Sequence, residues 1–540
     1  MEKIWKVLDE NPKDLRQTLL KNRNVEDADS FFQPHLYKLT SPDKLFPDLE
    51  KAVDRIKKAI KNKETIYIYG DFDVDGITGT AILWETIDFL GGKVLPFIPH
   101  REKDGYGIHT DAIEKLVKEG SSVIISVDCG IAAVEEARIA KKLGVDLIIT
   151  DHHTLQMDLP DPYALIHTDK LAGSGVAFML AKSLLESFNK ESDEQFFKNL
   201  ELASIGTVAD MVPLLGDNRI IVANGMRILN QSERLGLRAL YEEAGLNKKI
   251  GTYEVGFIIS PRLNSAGRME SALDSLRLLL TKKKDRAFDL AVRLSETNKA
   301  RREAMMNSLE HARSNIDGNS KAKMLISYHH SYLPGIIGLV AGRLADEFHK
   351  PSIVISEIDP LSRGSARSIK GFNITEAIGK QKDYLQSHGG HPMAAGFSLE
   401  KEKIPIFKEK ILNYAERTLS EKDLTPTLKI DARLDVDHLD KEALQVIKEF
   451  EPFGVGNGEP TFVTSNFEVV SAKTVGNGGK HLRMVLRGRN YRLFNSIAFG
   501  LAGKPIKKGD LVNAVYNLKE DSWYGNGRIE LRIKDLQAYN

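Results

Sequence analysis

Three short hydrophobic runs in the first third of the chain each stop at acid or histidine. Ile66 to Tyr69 leads to Asp71, Asp73 and Asp75, Val123 to Val127 to Asp128, and Leu147 to Thr150 to Asp151, His152 and His153. Runs rich in Ile and Val, separated by helical stretches, predict buried parallel strands, and an open parallel sheet carries its ligands just beyond the carboxyl ends of its strands. The chain is therefore expected to build an α/β domain with a polar site along one edge of its sheet. Carboxylates and imidazoles gathered there predict a divalent-metal centre.

In the segment DFDVDG, Asp71, Asp73 and Asp75 occupy alternate positions, so an extended backbone would point them one way, and Gly76 lets the chain turn into a helix. Clustered carboxylates repel unless a cation holds them; the bland alternative is a solvated acidic loop. A calcium loop of the EF-hand type is excluded, because no glutamate stands at its twelfth position. Asp210, in GTVADMVPL, adds a further carboxylate. A mixed shell of carboxylate and imidazole without thiolate suits Mn²⁺, with Mg²⁺ or Zn²⁺ as alternatives. Two such ions about 4 Å apart activate a water and stabilise the oxygens of an in-line phosphoryl displacement, which makes phosphodiester hydrolysis the expected reaction class. Adjacent His152 and His153 cannot share one strand face, so one is assigned to the metal and the other to the phosphate; a single metal, or His153 as a core hydrogen-bonding residue, is the quieter reading.

A chain of 540 residues is too long for one core and implies three or four domains at about 150 residues each. No stretch approaches the roughly 20 apolar residues of a membrane span, and MEKIWKVLDENPKDL lacks the apolar core of a signal peptide, so a soluble, cytoplasmic protein is expected. Cys129 is the only cysteine, which excludes an internal disulfide framework; it reads as a small packed hydrophobe. A net charge of +1 gives no global signal for nucleic acid, but charge is segregated near the C-terminus. Between Glu468 and Asp510 there is no acid, while Lys480, Arg483, Arg487, Arg489 and Arg492 cluster in a segment that alternates in period two. This predicts a small β-barrel with a basic nucleic-acid face, Tyr491 and Phe494 being interleaved for base stacking; a merely solvated sheet is the alternative.

These shifts divide the chain into an N-terminal helical extension at 1–50, a metal-binding α/β domain at 51–267, a long connecting helix at 268–319, a second α/β domain at 320–424 and a β-rich domain at 425–540.

Taken together, YGDFDVDG, SVDCG, TDHH and GTVADMVPL resemble the four motifs of the DHH phosphoesterase superfamily. Downstream, PRLNSAGRM, GSARSIKGF, SHGGHPMAAGF and EPFGVGNGEPTF resemble, in the same order, motifs of its RecJ family, single-strand-specific DNA exonucleases that degrade from the 5′ end. The resemblance implies a parallel-sheet DHH domain joined by a long helix to an α/β DHH-associated domain, with an OB-like barrel, around a central opening. It implies Asp73, Asp75, Asp128, His152 and Asp210 as ligands of two Mn²⁺ or Mg²⁺ ions, with Asp71 and His153 completing the catalytic set. Ser365 and Arg367, reached by Arg101, match a 5′-phosphate pocket, and Tyr106 a residue that stacks on or wedges between bases, although it could equally cap its loop. Asn264 and Arg268 would hold the scissile phosphate, and Gly389, Gly390 and His391 would let the backbone approach the strand closely. Single-stranded DNA is the implied substrate, with single-strand-binding protein and a helicase as partners and a monomer as the default state.

Two departures weaken the transfer to the second domain. Tyr332 and Leu333 stand where relatives commonly carry Trp-His, and Gly456-Asn457-Gly458-Glu459-Pro460 replaces GNPEP. The competing class is a phosphodiesterase for short oligonucleotides or cyclic dinucleotides, which would not need the residues after about 430; a non-catalytic strand-binding scaffold is argued against by the intact acid and histidine set.

Overall fold

The computed structural model describes residues 3–101, 104–191, 193–316, 322–521 and 528–539. The chain forms two compact units, one of residues 40–210 and 225–426 and one of residues 3–39, 211–224 and 427 onward.

The first unit contains the expected parallel sheet. Its strands lie in the order Lys93–Phe97, Thr65–Gly70, Ser121–Val127, Asp146–Asp151 and Ala164–His167, all parallel. Every residue of Thr65–Gly70 is buried, as a continuous apolar run in a sheet covered on both faces requires. Helix Val74–Phe89 follows that strand and is buried on nearly all sides, so it lacks the polar stripe of a surface helix.

A second sheet in the same unit runs Ser387–His391, Ala394–Glu400, Leu361–Arg367, Ser352–Ser356, Leu325–His329, with only the last pair parallel. Tyr332, one of the departures, is buried, and its hydroxyl lies 2.8 Å from both Ser327 Oγ and His311 Nδ1. The aromatic is thus retained here as a packed, hydrogen-bonded group.

The connecting helix is shorter than expected. Instead of one helix over 268–319, Ser260–Met269, Leu273–Leu280 and Lys284–Ile316 follow in turn, and 317–319 lie outside the described residues. Breaks at Glu270 and at Thr281 let the long helix fold back: Arg293 reaches Glu270 at 2.6 Å and Asp274 at 2.9 Å. Periodicity alone does not register such a reversal.

In the second unit, strands Phe462–Val475, His481–Arg487, Leu493–Ala498, Ile529–Ala538 and Leu511–Glu520 pair in that order and close back on the first, giving the expected small barrel, built of five strands. The 14-residue strand serves both of its neighbours by bending at two register shifts, one beside Asn466 at φ 61°. The N-terminal segment, expected to be helical, opens instead with strand Ile4–Val7, which pairs in parallel with Thr427–Ile430. Among the described residues, no helix is long and apolar enough to cross a membrane.

Candidate metal and phosphodiester site

The site forms where the strands of the first sheet end. The DFDVDG segment does not continue as an extended strand. Asp73 caps helix Val74–Phe89, its Oδ1 accepting from the amides of Asp75 at 2.9 Å and Gly76 at 3.2 Å, so Asp75 lies in the first helical turn. Convergence of the three aspartates comes from this strand-to-helix turn and not from strand alternation. Gly76 is required by close approach, since a Cβ there would lie 2.7 Å from Asp71 Cβ.

Asp75 is buried and accepts from the amides of Gly173 at 2.6 Å and Ser174 at 3.0 Å, at the start of helix Gly173–Ser187. Asp128 follows its strand in the left-handed region at φ 63°, a conformation that costs energy for a non-glycine residue and directs its carboxylate inward. His152 Nε2 stands 3.1 Å from Asp128 Oδ1, 3.7 Å from Asp210 Oδ2 and 3.9 Å from Asp75 Oδ2. His153 Nδ1 is 2.7 Å from Asp151 and 3.9 Å from Asp128. Three overlapping groups could each hold an ion: Asp75, His152 and Asp210; Asp128, His152 and His153; and Asp71, Asp73 and Asp128. All seven expected residues therefore meet. Because the histidines sit beyond the end of strand Asp146–Asp151, both imidazoles reach Asp128, and the strand-face constraint does not apply to them.

This arrangement is poorly balanced without a cation. Burial, then the charges of Asp75, Asp73 and Asp71, push the Asp128 carboxyl well above the usual range. Burial and Asp73 do the same to Asp71, and burial with Asp75 and Asp73 brings Asp210 to about 8. Burial lowers His152, whereas at His153 the opposing effect of burial is outweighed by Asp151, which raises it. Asp71 Oδ1 and Asp128 Oδ1 are buried without a hydrogen bond. A buried Asp71 oxygen without a donor and a buried Asp128 oxygen that faces the His152 nitrogen at 3.1 Å, amid oxygen and imidazole groups and no thiolate, fit a pair of hard divalent ions.

The sequence marked Asp151 as one of the strand-end acids without giving it a role of its own. Fully buried, it accepts from the amides of Ile131, His152 and His153 and from His153 Nδ1, at 2.7–3.1 Å, and so aims both imidazoles. Its place in TDHH was the available signal; the Gly173 and Ser174 amides carried none.

A cationic region adjoins the carboxylates. Asn264 Oδ1 accepts from the amide of Val74 at 3.0 Å, beside Asp73. On the same helix, Arg268 is depressed to about 9 by burial and by Arg101, Arg301 and Arg367. Its Nη1 lies 3.4 Å from the Gly335 carbonyl, and a Cβ at Gly338 would stand 3.0 Å from Ser365 Oγ and 3.1 Å from Arg367 Nη2, so Ser365 and Arg367 face the first turns of helix Pro334–Phe348. Arg101 lies over the Phe72 ring at 4.8 Å. The Tyr106 hydroxyl donates to the Asp128 carbonyl at 3.2 Å and contacts the His153 ring, which ties down its loop while half of the residue remains exposed. Gly389, Gly390 and His391 lie on the exposed edge strand Ser387–His391.

On the barrel, Leu482, Met484 and Leu486 point inward, leaving Arg483 and Arg487 on the outer face of their strand. Lys480, Arg489 and Arg492 are exposed in the flanking turns, although Arg487 pairs with Glu468 and Arg492 donates to the Leu439 carbonyl at 2.6 Å. Phe494 is 2 % exposed and belongs to the barrel core, so it cannot stack on bases; Tyr491, 81 % exposed, can. The alternation that revealed the strand did not separate its two faces at Phe494.

A parallel sheet with a carboxylate–imidazole cluster at its carboxyl edge, followed by a second α/β domain that brings arginine and serine toward it, defines a phosphoesterase of the DHH type. The chain matches the DHH family N-terminal domain over residues 65–207, the DHHA1 domain over 321–417 and the RecJ OB domain over 430–535. It is 35 % identical over 528 residues to the single-stranded-DNA-specific exonuclease RecJ of Bacillus subtilis, covering 95 % of this chain and 65 % of that protein. Against the RecJ of Thermus thermophilus it is 33 % identical over 509 residues, 91 % of this chain and 71 % of that one. The structure of RecJ in complex with Mn²⁺ from Thermus thermophilus matches with a TM-score of 0.85 at 28 % identity, over 99 % of this chain and 80 % of that one, and its complex with Mg²⁺ with a TM-score of 0.79. The chain belongs to the RecJ family.

Proposed function

We propose that this chain is a metal-dependent exonuclease that hydrolyses single-stranded DNA from the 5′ end to mononucleotides, in DNA repair and recombination. The observation that carries this reading is the convergence of buried carboxylates on two imidazoles, with Asp71 Oδ1 left without a donor, beside a region rich in arginine. Asp73, Asp75, Asp128, His152 and Asp210, with Asp71 and His153, would hold two Mn²⁺ or Mg²⁺ ions. When bound, the ions supply Lewis-acid charge and lower the pKa of water.

The protein's own groups bind and orient the strand. Asn264 spends its carbonyl oxygen on Val74, which leaves its NH₂ to donate to the scissile phosphate. Arg268, crowded by other cations, gains most from an anion and holds the same phosphate. Arg367 and Ser365, with Arg101, bind the terminal 5′-phosphate by charge and fork geometry. The exposed Gly389–Gly390 edge presents main-chain groups to the sugar–phosphate backbone, with His391 beside it. Tyr106 abuts the terminal base. Arg483 and Arg487, with Lys480, Arg489 and Arg492, form a surface of the barrel that tracks a single strand. A phosphodiesterase restricted to dinucleotides would have no use for that barrel.

The enzyme works in the cytoplasm, with a monomer as the default state, on strands made available by a helicase and single-strand-binding protein; family membership supports these two partners. Asp128→Ala tests the assignment: cleavage should disappear while strand binding persists, and retained cleavage would remove Asp128 from the reaction.

A further inference from the structure

The segment that leads into the Asn264–Arg268 helix carries two aromatic side chains that the fold does not use. Tyr253 and Phe257 are 64 % and 71 % exposed, and their rings stack at 5.0 Å with planes 29° apart. Single exposed apolar residues are ordinary on a protein surface, but a preformed pair of stacked rings is a ready platform for another flat ring.

Its position is specific. Residues Val255–Ile259 form a π-helical turn between Thr252–Glu254 and Ser260–Met269, a rare feature concentrated at functional sites. Val255 and Ile259 are buried, which fixes Tyr253 and Phe257 on the outward face. Gly256 packs against Val208, two residues before Asp210, and the helix continuing from this turn delivers Asn264 beside Asp73. The platform is thus built on the elements that bound the carboxylate cluster. The local charge suits a polyanion. Lys248 and Lys249 precede the pair and are exposed, and among the described residues neither has an ion-pair partner. Glu254, between the rings in sequence, is occupied in accepting from the Gly251 amide at 2.9 Å.

We infer that Tyr253 and Phe257 form a base-stacking platform for the strand on its 3′ side, ahead of the scissile phosphate, with Lys248 and Lys249 beside the backbone. The inference rests on the single-strand reading above. Seven helical residues from Phe257 to Asn264 span roughly 10 Å. At about 3.4 Å per stacked base, that places the platform about three nucleotides from the reacting bond. Stacking tolerates any base, as a nuclease without sequence preference requires.

The test compares Tyr253→Ala/Phe257→Ala with wild type on a dinucleotide and on a long single strand, both with Mn²⁺. The loss should grow with strand length: KM for the long strand rises about tenfold, as expected for losing one stacked base, with a much smaller change on the dinucleotide. Tyr253→Trp/Phe257→Trp should restore KM, which a mere folding defect would not allow. With a non-cleavable phosphorothioate strand carrying 2-aminopurine near the third nucleotide, wild type should quench the fluorescence more strongly than the alanine variant. Equal KM and equal quenching would overturn the inference and leave the pair as a protein contact. If wild type itself leaves the long strand intact, the single-strand reading falls with it.

Discussion

Asp151 Oδ1 lies 2.7 Å from His153 Nδ1, and the carboxylate that makes this contact is fully buried. Asp151 therefore acts as a positioning residue, tying the two-histidine turn to the Ile131 amide while both rings reach Asp128. An asparagine in its place would offer one acceptor oxygen where four N–H groups converge. Asp151→Asn should weaken Mn²⁺ binding about 10- to 100-fold, the usual cost of losing a group that orients a metal-bound histidine. A Mn²⁺ titration of activity checks this, and saturating metal should recover part of the rate.

Stability without metal should depend on pH. Asp71, Asp75, Asp128 and Asp210 all have raised pKa values, Asp210 moving from 3.8 to about 8, so the folded state binds protons more firmly than the unfolded chain. Their effect is neutral at low pH, and stability is lost as pH rises through that window. Melting temperatures of the chelated protein should fall from about pH 4 to pH 8, Mn²⁺ should reverse the fall, and Asp210→Asn should flatten it.

Gly206 poses two opposed effects. A helical glycine replaced by alanine gains about 0.5–1 kcal/mol in conformational terms. Yet a Cβ here would lie 2.2 Å from Ser174 Oγ, 2.5 Å from Thr78 Oγ1 and 2.6 Å from Asp75 Oδ1, all buried. Overpacking of this kind costs about 1–3 kcal/mol and wins. Gly206→Ala should lower the melting temperature and, by displacing Asp75, weaken Mn²⁺ binding as well, measured by thermal unfolding with and without metal.

Arg367→Ala should separate the two ends of the substrate problem. Charge-assisted hydrogen bonds of about 1.5–3 kcal/mol correspond to roughly 10- to 100-fold in KM for a strand with a 5′-phosphate. A strand with a 5′-hydroxyl should lose far less. Equal effects on both would show that Arg367 does not touch the terminal phosphate.

Arg219, 2 % exposed, fastens three separate stretches of the second unit. It donates to the carbonyls of Phe31, Phe450, Glu451 and Pro452 at 2.7–3.4 Å and lies 3.7 Å over the Phe31 ring. Arg219→Ala would strand those carbonyls and leave a void, so urea unfolding of the full chain should show a loss of about 3 kcal/mol.

The parallel sheet and its acid-tipped strands were legible because burial on two faces writes a continuous apolar run, and Asp71, Asp128 and His152 stand where those runs end. The barrel was legible from period two around Leu482, Met484 and Leu486. What escaped was set by tertiary contact. The connecting helix folds back so that Arg293 meets Glu270 and Asp274, an event that helical periodicity does not encode. Phe494 turned inward although it neighbours basic residues, and Ile4–Val7 became a strand because Thr427–Ile430, more than 400 residues away, offers an edge. The second-sheet residues Ser365 and Arg367 carried no periodic signal; only their likeness to family motifs marked them.

The account's central claim is tested most directly by digesting a long single-stranded DNA, labelled internally and at either end, with Mn²⁺, with Mg²⁺ and with chelator, beside a blunt duplex. The account predicts metal-dependent release of 5′-end label as mononucleotides, with the duplex spared and chelated samples inert. An untouched long strand alongside cleaved dinucleotides would contradict it.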